Sequence, residues 1–165
     1  MKIADTSGRD RIRGTRSRGD LRAAKALGFN EVIDTSVEKL TDGVRRITDG
    51  YGADIIIDGI GGDVLSEAVK ALASGGSLIT LGYSASRKVT IDVTSLIVSQ
   101  TSIRGFNMFS QPQAIVADAW KSTASLLKSG AIKPIVAKTF PLTEAAEALR
   151  YLVEGRPFGR VVLTV

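Results

Sequence analysis

Residues 50–84, GYGADIIIDGIGGDVLSEAVKALASGGSLITLGYS, read as a strand, a glycine-broken loop, a helix and a second strand. Asp54-Ile55-Ile56-Ile57 is a short continuous apolar run of β-branched residues, the pattern of a parallel strand covered on both faces. Asp58-Gly59-Ile60-Gly61-Gly62 breaks it. From Asp63 to Ala73, the residues Val64, Leu65, Ala68, Val69 and Leu72 fall on one helical stripe. Ser74-Gly75-Gly76 ends that stripe, and Ser77-Leu78-Ile79-Thr80-Leu81 forms the next buried strand, closed by Gly82. In open α/β sheets, ligands bind outside the carboxyl ends of the strands. Both glycine breaks, 59–62 and 82, fall at such ends. A residue without a side chain lets a flat or phosphorylated ligand approach the backbone closely. The stretch is a nucleotide-binding type of half-sheet.

Working outward, the same alternation continues. Thr35 and Glu38 form a candidate capping box ahead of Val37, Leu40, Val44 and Ile47, which share one helix face before Gly50. Pro112 opens a long helix carrying Ile115, Val116, Ala119, Trp120, Leu126 and Leu127, closed by Gly130. Thr143 caps a helix with Ala146, Leu149, Tyr151 and Leu152, closed by Gly155. Strands are predicted at 31–33, 54–57, 77–81, 102–106 and 160–165. Elements alternating in this way predict an α/β fold with a doubly wound, Rossmann-like parallel sheet.

The chain has 165 residues, the size of one ordinary domain with a real core. It contains no cysteine and no histidine, so disulfides, thiolate metal sites and imidazole chemistry are excluded for this stretch. No apolar run approaches the ~20 residues needed to cross a bilayer, and no apolar segment follows the arginine-rich start as in a secretory signal. A cytoplasmic location without a membrane partner is the resulting expectation. Charge is uneven: residues 1–25 hold eight Lys/Arg against Asp5, Asp10 and Asp20, whereas the rest is balanced. A basic arm can contact nucleic acid. This one lacks interleaved aromatics and any helix-turn-helix pattern, which speaks against that partner. Residues 1–20 are read as an irregular basic arm, and 21–165 as a partial dinucleotide-binding domain.

A dinucleotide fold opens with a strand and G-x-G-x-x-G at a helix start, where backbone N–H groups and the helix dipole receive the pyrophosphate. The nearest match, Gly59-Ile60-Gly61-Gly62-Asp63-Val64, follows a strand and precedes a helix, but its sixth residue is Val64. Asp63 at the helix start repels a phosphate, and no acidic residue ends the next strand, where Gly82-Tyr83-Ser84 stands. Asp54, Asp58 and Asp63 suit capping and turn roles better than a metal.

The segment 50–84, together with LRAAKALGFNEVIDTS (21–36) and IKPIVAKTFPLTEAAEALRYLVEGRPFGRVVLTV (132–165), resembles the medium-chain dehydrogenase/reductase family. Within it, the match is to the coenzyme-binding domain of the zinc-free quinone oxidoreductase and enoyl reductase branch. The resemblance places 59–64 after the family's fourth strand and makes Arg11–Thr15 its second strand. The first strand and its phosphate loop then lie upstream of Met1, and an apolar edge beside Ile55–Ile57 is left open. It also implies an N-terminal catalytic domain that these residues do not contain.

By the same resemblance, Arg16 and Ser17 fall where NADP-preferring members grip the 2′-phosphate, although Arg16 is also one charge of a basic run and Asp20 stands where a lysine is common. Gly59, Ile60 and Gly61 match the adenosine side of the cofactor, and Gly82 and Tyr83 its nicotinamide ribose. Phe106 and Asn107 match the nicotinamide rim, and Arg160 a basic position near the last strand. The implied activity is that of an NADPH-dependent oxidoreductase, a quinone oxidoreductase or enone reductase passing hydride to a quinone or conjugated carbonyl. The implied cofactor is NADP, and a homo-oligomer forms through the edge at 102–106. The alternative is a catalytically inert truncated fragment acting only through oligomerisation, and the chain alone is expected to be inactive.

Overall fold

The computed structural model describes residues 2–4, 11–15, 22–24, 26, 29, 31–155 and 157–165. It divides into two compact units, residues 1–107 and 108–165.

The first unit holds a six-stranded sheet. Its strands are β1 (Lys2–Ala4), β2 (Arg11–Thr15), β3 (Glu31–Asp34), β4 (Ala53–Asp58), β5 (Leu72–Thr80) and β6 (Ser102–Gly105). Their spatial order is β3-β2-β1-β4-β5-β6, the doubly wound order expected of this fold. The pairs β2–β3, β4–β5 and β5–β6 are parallel. Helices α1 (Leu40–Ile47), α2 (Gly62–Lys70) and α3 (Val93–Ser99) make the connections.

The centre of the sheet departs from the sequence expectation. No open edge remains beside Ile55–Ile57, because β1 runs antiparallel along β4 with Lys2 opposite Ile57, Ile3 opposite Ile56 and Ala4 opposite Ile55. On its other side β1 pairs with β2, again antiparallel. The arm read as irregular therefore supplies two strands, and Arg11–Thr15 is interior. The reason is backbone hydrogen bonding: a gap inside a sheet strands two rows of N–H and C=O groups. A three-residue segment closes it in either direction.

Ile33, Leu40, Val44, Ile56, Leu65 and Leu78 anchor the core, all at most 6% exposed. Each buried aliphatic side chain of this size contributes about 1.5–3 kcal/mol. Two boundaries shift. Helix α2 ends at Lys70, so Leu72 already belongs to β5, and Ala53 pairs with Leu72 before a register break. Helix α1 begins at Leu40 with no side-chain cap. Val37 is 72% exposed, and Glu38 turns to Arg46 (2.7 Å) instead of closing a capping box.

The second unit holds α4 (Gln113–Lys128), β7 (Val136–Pro141), α5 (Ala145–Gly155) and β8 (Arg160–Thr164), with β7 and β8 parallel. Pro112 is the N-cap of α4, as its position predicts. Phe140 is buried against Tyr151, with ring centroids 5.8 Å apart, and Lys138 lies over Phe140 at 4.4 Å. No residue of α4 is buried, and on α5 only Ala148 is.

Candidate functional site

Strands β4, β5 and β6 run parallel and end in register: Asp58 lies opposite Thr80, and Thr80 opposite Gly105. The loops after them leave from one edge of the sheet. Asp58 organises that edge. Its side chain is fully buried, and its carboxylate accepts from Ile60 N (3.0 Å), Gly61 N (3.0 Å) and Thr80 Oγ1 (3.4 Å). A carboxylate that accepts from residues two and three further on makes a backbone turn.

Hydrogen bonding continues beyond the strand ends. Leu81 N donates to Asp58 O (2.8 Å), Ala85 N to Ile60 O (2.8 Å), Ser84 Oγ to Gly59 O (3.3 Å) and Phe106 N to Thr80 O (2.8 Å). Gly61 and Ser86 form a bridge as well. The 59–62 and 81–86 loops are thereby one braced surface.

Two glycines are required by this bracing. A Cβ on Gly82 would stand 2.6 Å from Gly59 O, and one on Gly61, whose φ is +72°, would stand 2.5 Å from Ser86 O. The space freed at both is filled by the facing loop. Gly59 and Gly105 differ: a Cβ on the first would meet only Leu81 Cδ1 at 3.7 Å, and one on the second meets nothing within 4 Å. The same edge carries two exposed rings, Phe106 next to Gly105 and Tyr83 next to the Gly82 that faces Gly59. Ile60 is half-buried and Asn107 exposed.

Of the residues singled out from sequence, Gly59, Ile60, Gly61, Gly82, Tyr83, Phe106 and Asn107 come from these loops. Arg160 belongs to the second unit, at the start of β8, exposed, with its N–H donating to Ile135 O (2.7 Å). Arg16 and Ser17 lie outside the described residues. Two contributors stand out only in the structure. Asp58 reads from the sequence as a turn residue, which it is, while its burial as the brace of two loops is set by contacts distant along the chain. Arg87 sits with its guanidinium 5.1 Å from the Tyr83 ring centroid, and its only signal was a basic pair closing the loop after Gly82. On α2, the hydrogen bond from Lys70 holds the Glu67 carboxyl below its usual range, with Thr41 adding and burial opposing.

The edge fits part of a dinucleotide. Open backbone beside exposed rings can receive a flat ring and its ribose. The pyrophosphate is not matched among the described residues: the N–H groups of Ile60 and Gly61 are committed to Asp58, and β1, at the centre of the sheet, runs the wrong way to end in a strand-to-helix turn. Zinc does not fit either. The sequence has neither histidine nor cysteine, and the described residues contain no group of three or more ligating side chains.

Fold and edge together define a nucleotide-binding α/β domain. Residues 27–163 match the family model described as zinc-binding dehydrogenase. The chain belongs to that family, among the medium-chain dehydrogenase/reductases. It is 27% identical over 158 residues to a quinone oxidoreductase-like protein 2 homolog of Nematostella vectensis, a match covering 93% of this chain and 43% of that protein. To an L-threonine 3-dehydrogenase of Caldanaerobacter subterraneus it is 32% identical over 144 residues, covering 85% and 40%. The crystal structure of a 2-haloacrylate reductase superposes with a TM-score of 0.81 at 28% identity, covering 93% of this chain and 49% of that one. The chain thus spans less than half the length of these relatives.

Proposed function

We propose that this chain is the nicotinamide-nucleotide-binding part of an NADPH-dependent, zinc-independent reductase of quinones or conjugated carbonyl compounds, located in the cytoplasm. The observation that carries the reading is the edge itself, with open backbone at Gly59 and Gly105 and exposed rings on Tyr83 and Phe106, in a chain of this family. Relatives named as reductases and dehydrogenases support it over an inert association fragment. When bound, the nicotinamide supplies a hydride from C4. The chain's part is to seat it: Gly82 and Tyr83 beside the nicotinamide ribose, Phe106 and Asn107 at the ring's rim, and Gly59, Ile60 and Gly61 toward the adenosine. Arg16 and Ser17 are assigned to the 2′-phosphate, where a guanidinium offers a planar, bidentate grip, and Arg160 is kept as a basic cofactor-facing position beside the last strand. The substrate wall and any proton donor come from residues outside this chain.

Amide chemical-shift mapping during an NADPH titration tests the placement. Shifts concentrated at 59–61, 82–83 and 105–107, with a dissociation constant weaker than about 0.1 mM because the described residues include no pyrophosphate clamp, are the expected result. Shifts confined to other regions would remove the assignment. Low-micromolar affinity would show that the 59–64 loop does hold the pyrophosphate.

A further inference from the structure

Next to Tyr83, the loop after β5 carries two cations, Arg87 and Lys88, that seating a coenzyme ring leaves unused. Tyr83 is 62% exposed, and the Arg87 guanidinium lies 5.1 Å from the centre of its ring. Lys88 follows directly, its own N–H held by Ser86 Oγ (3.1 Å). Both cations are exposed. The ion pairs among the described residues are Arg46–Glu38, Lys70–Glu67 and Lys121–Asp118, so neither Arg87 nor Lys88 has a carboxylate partner there.

Exposed basic residues on a loop are usually mobile and indifferent to what they meet. These two are not hung on a slack loop. Residues 84–86, just before them, are pinned by Ser84 Oγ to Gly59 O, Ala85 N to Ile60 O and the Gly61–Ser86 bridge. The aromatic face further restricts the guanidinium while leaving its N–H edge available. A guanidinium so held has lost part of its rotamer freedom before any ligand arrives, which lowers the cost of a bidentate bond to an oxyanion. The pair also stands on the ligand-binding edge of the sheet.

We propose that Tyr83, Arg87 and Lys88 form an anion-recognition element on this edge, one that binds the carboxylate of a substrate or a phosphate of the coenzyme. Arg87 supplies the planar fork, Lys88 a second positive charge, and Tyr83 the platform that orients Arg87. The inference deepens the proposed coenzyme edge and rests on it for location, but its test reads a different quantity.

Two ligand pairs, each differing in an anionic group, separate the sources: cinnamate against cinnamamide, and nicotinamide mononucleotide against nicotinamide riboside. Each is titrated by NMR into the full chain and into the double variant Arg87→Gln/Lys88→Gln. In at least one pair the anionic member should bind about tenfold more tightly. That preference should vanish in the double variant and shrink as salt is raised from about 0.05 to about 0.5 M. Tyr83→Leu, which leaves every charge in place, should reduce it. The first pair responding identifies a substrate carboxylate, and the second a coenzyme phosphate. No preference in either pair, or a preference that survives in the double variant, overturns the proposal. If NADPH shifts the amides of Gly59 and Gly105 but neither pair discriminates, this inference alone fails. If the pairs discriminate and NADPH shifts nothing there, the coenzyme assignment fails instead.

Discussion

Replacing Asp58 by alanine tests whether the edge is braced as described. Its side chain is fully buried, and its carboxylate satisfies two backbone N–H groups at 3.0 Å and a hydroxyl at 3.4 Å. In the alanine variant the buried Gly61 N–H has no acceptor, whereas Ile60, half-buried, can recruit water. Leaving a buried donor unsatisfied costs about 1–3 kcal/mol, and bonds to a charged acceptor lie at the upper end of hydrogen-bond contributions. One full penalty and one partial one give about 2–4 kcal/mol, a large share of an ordinary domain's stability. Asp58→Asn keeps one acceptor oxygen but turns an NH₂ toward the remaining donor, so it should lose about 1–3 kcal/mol. Urea unfolding followed by circular dichroism measures both. An Asp58→Ala protein as stable as wild type would show that Asp58 does not hold the loops together.

Gly82→Ala drives a methyl group into the backbone of Gly59, with no flexible side chain to yield; a loss of about 1–3 kcal/mol is expected by the same denaturation assay. NADPH absorbance should not decay above the free-solution rate when quinones or enones are added to the chain alone, and measurable turnover would contradict the assignment of substrate wall and proton donor to residues outside it. Edge strand β6 should pair with a second copy. Phe106 N–H points inward to Thr80, so the Gly105 N–H points outward, and Gly105→Pro should lower the mass seen by light scattering from dimer to monomer. Because the Glu67 carboxyl is held down by Lys70 and Thr41, its contribution is fully present above the unfolded glutamate value of about 4.3 and is lost as pH falls through the lower folded value. Glu67→Gln should flatten that acid limb while changing neutral stability by no more than about 1 kcal/mol, since the ion pair is solvent-exposed; an unchanged pH profile would refute the coupling.

Elements governed by local pattern were legible in the sequence. The Ile55–Ile57 run, the stripe through Leu65, Ala68 and Val69, and Pro112 at the head of α4 all specify their state through side chains within one or two turns. The alternation of these elements along the chain points to a doubly wound sheet, with the strands expected at 54–57, 77–81 and 102–106 ending within one residue of Asp58, Thr80 and Gly105. What remained for the tertiary structure were matters of partnership. Leu149 and Leu152 share an apolar face as predicted, yet both are exposed, because periodicity says which face is apolar and not what covers it. Thr35 and Glu38 have the spacing of a capping box, but the bond from Arg46 drew Glu38 away. A short basic arm carried no strand signal, yet Lys2–Ala4 became a strand because the open backbone of β4 and β2 supplied hydrogen bonds that its own residues could not. The glycines at 61 and 82 were visible as breaks, but loop-on-loop contact at 2.5 and 2.6 Å from any added Cβ decided what they are for. Sequence sets local conformation through short-range sterics and periodicity; long-range hydrogen bonding and packing select the partners.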